Sequence, residues 1–189
     1  MIKAPQRAAK GKEPMKKTLL FVAVLALAAC AGGAGGSTPT TGTIEITGQD
    51  YSFGGVPGVV ATGAELTFTN ISENEVHEML VFKIVEGETR TIQELLELPD
   101  AEVESVAQMQ GILVALPGED GANPEGGGAS IAISEPGRYA ILCFIPQGAD
   151  PATVEEAMAS GDAEGQPDLG EGTPHALLGM VAEFQVEEA

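Results

Sequence analysis

Short runs of alternating apolar and polar residues, separated by glycine and proline, are the feature that most constrains the fold of this chain. The 189 residues include 25 glycines and 12 prolines. In the segment Ala64–Asn70, Leu66 and Phe68 alternate with Thr67 and Thr69, a pattern typical of a half-buried strand. Several such strands between turn residues predict an all-β fold, an antiparallel Greek-key β-sandwich.

The predicted strands lie in six segments: Thr43–Gly55, Ala64–Asn70, His77–Gly87, Ser130–Ser134, Arg138–Ile145 and the final run from Met180. Two acidic insertions interrupt this pattern. Helical spacing predicts one or two short amphipathic helices in Thr91–Gln110, and a proline start with a glycine stop predicts another in Pro151–Gly161.

The segment Met15–Cys30, MKKTLLFVAVLALAAC, has the layout of a secretory signal. Its apolar run of about a dozen residues is shorter than the ~20 residues that span a bilayer. The residues LAAC ending at Cys30 resemble a bacterial lipobox, in which the cysteine is lipidated and becomes the first mature residue. We therefore expect an extracytoplasmic lipoprotein that is anchored to a membrane, either at the cell surface or in the periplasm.

These signals divide the chain into three parts. Residues 1–29 are predicted to be the signal peptide, with Met15 as an alternative start. Residues 30–42 contain the lipidated cysteine and a flexible linker rich in glycine, serine, threonine and proline. Residues 43–189 form the folded domain.

Charge is strongly asymmetric along the chain. The net charge is −19, six of the nine basic residues precede Cys30, and 27 of the 28 acidic residues follow it. Such a domain repels phosphate backbones, which excludes nucleic acid as a partner. Charge alone favours a solvated acidic surface over a field that attracts cations or a basic partner protein.

The cysteine and histidine positions indicate a metal site. The chain has two cysteines, so lipidation of Cys30 leaves Cys143 without an intramolecular partner, and an exported free thiol must be buried or ligated. The two histidines, His77 and His175, and Met180 all lie at predicted strand ends, which meet at one edge of a sandwich. Two imidazoles, a thiolate and a weak axial thioether form the type 1 copper geometry, whereas a thioether is a poor zinc ligand.

The segments TFTNISENEVHEM, GRYAILC and PHALLGMVAEFQV resemble the cupredoxins, the plastocyanin- and azurin-like blue copper proteins. The resemblance covers about Thr43 to Val186. It implies one type 1 copper bound by His77, Cys143, His175 and Met180, and electron transfer to a redox partner. No acid–base pair accompanies these residues, so we expect an electron carrier and not an enzyme.

One departure from the cupredoxin pattern concerns the spacing of the ligands. Thirty-one residues separate Cys143 from His175, whereas typical cupredoxins have only a few there. The entropy cost of closing a loop grows only logarithmically with its length, so the insertion can bulge outward with the ligands in place. The other interpretation is that the site has drifted or been lost.

Each candidate ligand also has a structural explanation when it is taken alone. Cys143 and Met180 are typical core residues, and His77 and His175 are typical surface or hydrogen-bonding residues. Glu78 either hydrogen-bonds near the site or is solvated. Two alternatives to a copper electron carrier therefore stay open: a metal-free cupredoxin-like binding module, and a copper storage or delivery protein.

Overall fold

Nine strands form two sheets in the part of the chain that the structure, a computed structural model, describes: residues 38–160 and 168–189. The smaller sheet has the order β2-β1-β4-β7, and the larger has the order β3-β9-β8-β5-β6. The strands are β1 Thr43–Gln49, β2 Ser52–Gly54, β3 Val59–Ala61, β4 Glu65–Asn70, β5 His77–Ile84, β6 Ala107–Ala115, β7 Ile131–Ala132, β8 Gly137–Leu142 and β9 Val181–Glu187.

Four short helices complete the described fold: α1 Ile92–Leu96, α2 Asp100–Val106, α3 Pro151–Ser160 and a 3₁₀ helix, His175–Leu178. Helix α1 begins at a capping box, in which Glu94 N donates to Thr91 Oγ1 at 3.3 Å and Thr91 N donates to the Glu94 carboxylate at 2.7 Å.

The two sheets and the short helices between their strands confirm the predicted all-β Greek-key sandwich with short helical insertions.

The core lies between the two sheets. Its inward-facing side chains include Ile44, Ile46, Leu66, Phe68, Met79, Val81, Tyr139, Ile141, Phe184 and Val186. Because side chains alternate along a strand, His77 shares an inward row with Met79 on β5, and Cys143 continues the row of Ile141 beyond the end of β8. The ends of these rows lie together at one edge of the sandwich.

Two sequence predictions about the sheets are wrong in detail. The pairs β1–β4 and β3–β9 are parallel, so the sandwich is not wholly antiparallel. The chain crosses to the other sheet between the members of each pair, so no hairpin requires opposite directions. The second error is at Ala107–Gln110, which begins strand β6 instead of ending a helix. Pairing with β5 along His77–Ile84 overrides the local helical spacing there.

The predicted signal peptide, Cys30 and most of the predicted linker lie outside the described residues. Thr40, near the end of that linker, pairs with Val60, and Thr40 N donates to Val59 O at 3.0 Å. Among the described residues, no helix is both long and apolar enough to cross a membrane.

Candidate metal centre

Three strand-end residues meet at one edge of the sandwich. His77 begins β5, Cys143 directly follows β8, and His175 begins the 3₁₀ helix that precedes β9. Because β8 lies between β5 and β9 in the larger sheet, residues distant in sequence become neighbours. One nitrogen of each imidazole and the cysteine sulfur all lie within 4.8 Å of one another, and all three residues are fully buried.

The donor atoms of this cluster point toward one another. His77 Nδ1 lies 3.1 Å from His175 Nδ1, and Cys143 Sγ lies 3.4 Å from His175 Nδ1. The imidazole rings meet edge to face, with centroids 4.9 Å apart. Two nitrogens this close are stable when one carries a proton that the other accepts, or when a cation replaces that proton.

These distances fit a single metal ion. An ion ~2.0–2.1 Å from nitrogen and ~2.3 Å from sulfur separates its ligand atoms by roughly 3–4 Å. Two imidazoles and a thiolate are a soft nitrogen and sulfur set that suits copper. The residues present therefore fit the type 1 copper ion that the resemblance implies.

Burial sets the protonation of the three donors. The pKa of His77 is lowered to about 4, mainly by desolvation and to a smaller extent by the neighbouring His175. Desolvation also lowers the pKa of His175. The pKa of the Cys143 thiol is raised to about 12, mainly by desolvation and to a smaller extent by the charge of Glu78. At neutral pH both imidazoles are neutral and ready to bind a cation, whereas the thiol must first lose a proton.

Main-chain hydrogen bonds fix the positions of the ligands. Ala176 N donates to Cys143 O at 2.6 Å, and His175 N donates to Ile145 O at 3.0 Å. Met180 N donates to His175 O at 2.9 Å, which closes the turn between the 3₁₀ helix and β9. The two ends of the long insertion are thus bonded to each other directly beside the site.

Met180 is buried at the same end of the fold as the thiol. The register of β8 and β9 pairs Leu142 with Val181, so the same register carried one step further places Cys143 opposite Met180. Met180 is fully buried and belongs to the same apolar cluster as Cys143. The structure thus brings all four sequence-predicted ligands to one end of the fold.

Glu78 supports the cysteine loop from the neighbouring strand. Its amide N–H donates to Cys143 Sγ at 3.4 Å, and its carboxylate accepts from Phe144 N at 2.8 Å. Desolvation raises its pKa to about 7, and hydrogen bonds from the backbone of Phe144 and Ile145 partly oppose that shift. Of the two roles considered for Glu78, the structure shows the hydrogen-bonding one, since the residue is buried.

The long insertion packs against the metal end of the fold. Val154 of α3 and Ala149 are buried in one apolar cluster with Cys143 and Met180. The insertion therefore covers the ligand end and leaves the ligands together, and the predicted helix Pro151–Gly161 is seen as α3 up to Ser160.

Three residues around the site were missed by sequence reasoning. Tyr51 packs edge-on against the His175 ring, with centroids 4.9 Å apart. Glu75 places a carboxylate oxygen 3.5 Å from His175 Nε2. Buried Asn70 donates to Ala115 O and to the carbonyl of Glu75. No spacing pattern distinguishes these residues in a chain with 28 acidic residues, and only their contacts identify them.

No protein-family model and no curated protein matches the chain. Among solved structures, a reduced auracyanin from Roseiflexus castenholzii aligns at 18% identity and a TM-score of 0.44, covering 79% of this chain and 99% of that one. Auracyanin A, a blue copper protein from Chloroflexus aurantiacus, aligns at 17% and 0.41, covering 78% and 100%. A multicopper oxidase aligns at 11% and 0.35, covering 79% and 45%.

Identities and TM-scores this low carry no argument about function, so the metal assignment depends on the geometry of the site. That geometry comprises two imidazole nitrogens and one thiol sulfur, buried together at the edge of a two-sheet β fold. The group formed by His77, Cys143 and His175 is suited to one type 1 copper ion, which is consistent with the resemblance to the cupredoxins.

Proposed function

We propose that this chain is a type 1 copper protein that transfers single electrons, anchored through Cys30 at the outer face of a bacterial membrane. The observation that carries the proposal is the convergence of His77 Nδ1, Cys143 Sγ and His175 Nδ1 in a fully buried cluster. Met180 is buried in the same apolar cluster as Cys143 and is the weak axial ligand in this proposal.

A bound copper ion would supply a one-electron couple between Cu(II) and Cu(I). His77 and His175 offer imidazoles that suit Cu(II), while Cys143 and Met180 offer sulfur ligands that suit Cu(I). The main-chain hydrogen bonds of Cys143, His175 and Met180 hold these ligands in one arrangement. A fixed compromise geometry lowers the reorganisation that electron transfer requires.

A carrier fits this site better than an enzyme. All three donor residues are fully buried, so water and substrates are kept from the ligand atoms. The pKa values of both histidines are lowered by burial, which makes them neutral metal ligands and not proton carriers at neutral pH.

The location and the partner are argued from sequence and charge. The lipobox-like LAAC segment supports an anchor at Cys30, and the linker before the domain supports a tethered protein outside the cytoplasm. The strongly negative charge supports a basic redox protein as the electron partner.

The test is a titration of the metal-free protein with Cu(II), followed by absorption spectroscopy. We expect one copper per chain and a strong visible thiolate-to-copper band, with that band lost in Cys143→Ser. Stoichiometric binding without the band would favour copper storage or delivery instead. The absence of copper binding would leave a metal-free binding module.

A further inference from the structure

The outer edge of His175 is enclosed by contacts that connect it to the long insertion. Tyr51 packs against the ring edge-on, and its hydroxyl accepts a hydrogen bond from Gln147 Nε2 at 2.7 Å. Glu75 lies 3.5 Å from His175 Nε2, and the same carboxylate oxygen accepts from Gly148 N at 3.0 Å. Both residues thus contact His175 and also the segment where the insertion leaves the cysteine strand.

The main chain of Glu75 is itself fixed. Its amide donates to Ser72 Oγ at 3.1 Å, and its carbonyl accepts from Asn70 Nδ2 at 2.8 Å. Asn70 is fully buried and also donates to Ala115 O. The carboxylate therefore extends from a loop that is bonded to strands of both sheets, not from a freely moving chain.

The tautomer of His175 gives this carboxylate a specific role. A histidine that offers the Nδ1 lone pair to a metal carries its proton on Nε2. His175 Nε2 is buried and has no hydrogen bond to the described residues, and the Glu75 oxygen lies in ion-pair range of it. His77 Nε2 is likewise buried and without a hydrogen bond, but no ion pair with it is found among the described residues.

We propose that Glu75 is a positioning residue that couples the long insertion to His175, by orienting the imidazole through Nε2 while its carboxylate also binds Gly148 N. The inference rests on the proposed copper site. Carboxylate partners of ligating histidines fix ring orientation and raise ligand basicity. The departure from the cupredoxin spacing is then compensated by a contact that ties the insertion to the ligand.

Three variants of the full-length protein test this role. Glu75→Gln removes the charge and keeps a hydrogen-bonding group, and Glu75→Ala removes both. Glu73→Gln is the matched control. Glu73 is an exposed residue of the same loop, and its substitution removes the same charge as Glu75→Gln. We expect Glu75→Ala to weaken Cu(II) affinity by about 10- to 100-fold, with a smaller loss for Glu75→Gln. Both Glu75 substitutions should raise the reduction potential, because the negative charge that they remove stabilises Cu(II) more than Cu(I) in the wild-type protein.

Measurements on the metal-free proteins provide a second readout. We expect Glu75→Ala to shift the ¹⁵N resonance of His175 Nε2 and to speed hydrogen exchange of the Gly148 amide, while the exchange of amides in β5 and β8 stays at the wild-type rate. That pattern separates a local positioning effect from general unfolding.

The inference is overturned if Glu75→Ala and Glu75→Gln match Glu73→Gln in potential and copper affinity, or if the His175 resonance and Gly148 exchange do not change. A wild-type protein that binds no copper would instead overturn the proposed function. In that case the resonance and exchange data would still decide whether Glu75 positions His175.

Discussion

The three residues at the centre of the site are costly to bury without a partner. His77, Cys143 and His175 are fully buried, and the Nε2 atoms of both histidines have no hydrogen bond to the described residues. A buried polar group left unsatisfied costs about 1–3 kcal/mol. A cation bound through the Nδ1 atoms and the sulfur would leave both Nε2 atoms as they are, but because it binds the folded arrangement alone, metal binding and stability are linked in this protein.

The first prediction concerns proton release. Because the pKa of Cys143 is raised to about 12 and that of His77 is lowered to about 4, Cu(II) binding at pH 8 should release about one proton per ion, from the thiol. The apparent affinity should then rise about tenfold per pH unit between about pH 8 and about pH 9. Calorimetry in buffers of different ionisation enthalpy measures the proton count. Cys143→Ser should release none, and a wild-type count near zero would contradict thiolate ligation.

The second prediction concerns Glu78. Burial raises its pKa from 4.5 to about 7, so its contribution to folding is fully present below pH 4.5 and is lost as pH rises through 7. Glu78→Gln lacks this titration. The free energy of unfolding of the metal-free variant, relative to wild type, should therefore increase between about pH 5 and about pH 8, by up to about 3 kcal/mol.

Denaturant unfolding at the two pH values measures this difference. His77 has the opposite dependence, since its folded pKa of about 4 makes the fold lose stability as pH falls below 6.5. The effect of His77 is the same in the wild type and in Glu78→Gln, so it cancels when their free energies of unfolding are compared. A difference that does not change with pH would show that Glu78 is not desolvated in the folded state.

At the scale of elements, the two insertions pack in different places. Ile92 and Leu95 of α1 pack with Ile84, Ala140 and Leu142 on the outer face of the larger sheet. Helix α3 instead packs in the apolar cluster that contains Cys143 and Met180. Only the insertion between Cys143 and His175 therefore adds a helix to the cluster around the cysteine.

The third prediction tests this packing of α3. Val154→Ala removes two buried methyl groups and should lower the free energy of unfolding by about 1–3 kcal/mol. Copper release to a chelator should also become faster, because Val154 shares its cluster with Cys143 and Met180. Glu155→Ala, on an exposed position of the same helix, is the control and should change neither quantity. Equal behaviour of the two variants would mean that α3 does not protect the site.

At the scale of the whole molecule, the charge of the described residues is almost uniform in sign. The three basic residues of the described region each form an ion pair, Lys83 with Glu135, Arg90 with Glu88 and Arg138 with Glu183. Their positive charges are thus matched locally, and the remaining carboxylates create a long-range negative field. Such a field attracts a basic partner before contact.

The fourth prediction follows from that field. Electron transfer to a basic cytochrome should slow by at least about tenfold as ionic strength rises from about 10 mM to about 300 mM, because salt screens the attraction. Stopped-flow spectroscopy of the visible band measures the rate. With a neutral small reductant, the rate should depend little on ionic strength. An equally small dependence with the basic cytochrome would exclude electrostatic steering.

Most of the strand pattern could be predicted from the sequence, because alternation in segments such as Ala64–Asn70 reports directly on burial. Strand β6 could not, since Ala107–Gln110 continues a helical spacing and becomes a strand only by pairing with β5. The histidine and cysteine ligands were predictable because so few residues of their types occur: two histidines and one cysteine beyond Cys30.

By itself, the sequence determined the residue types available for a metal, their order along the chain and the alternation that buries one face of each strand, because these are local properties. Only the tertiary structure decided that His175 lies beside Cys143 despite 31 intervening residues, and that Glu75 and Tyr51 contact its outer edge. The physical reason is that contacts across strand ends depend on sheet order and register, which no local pattern encodes.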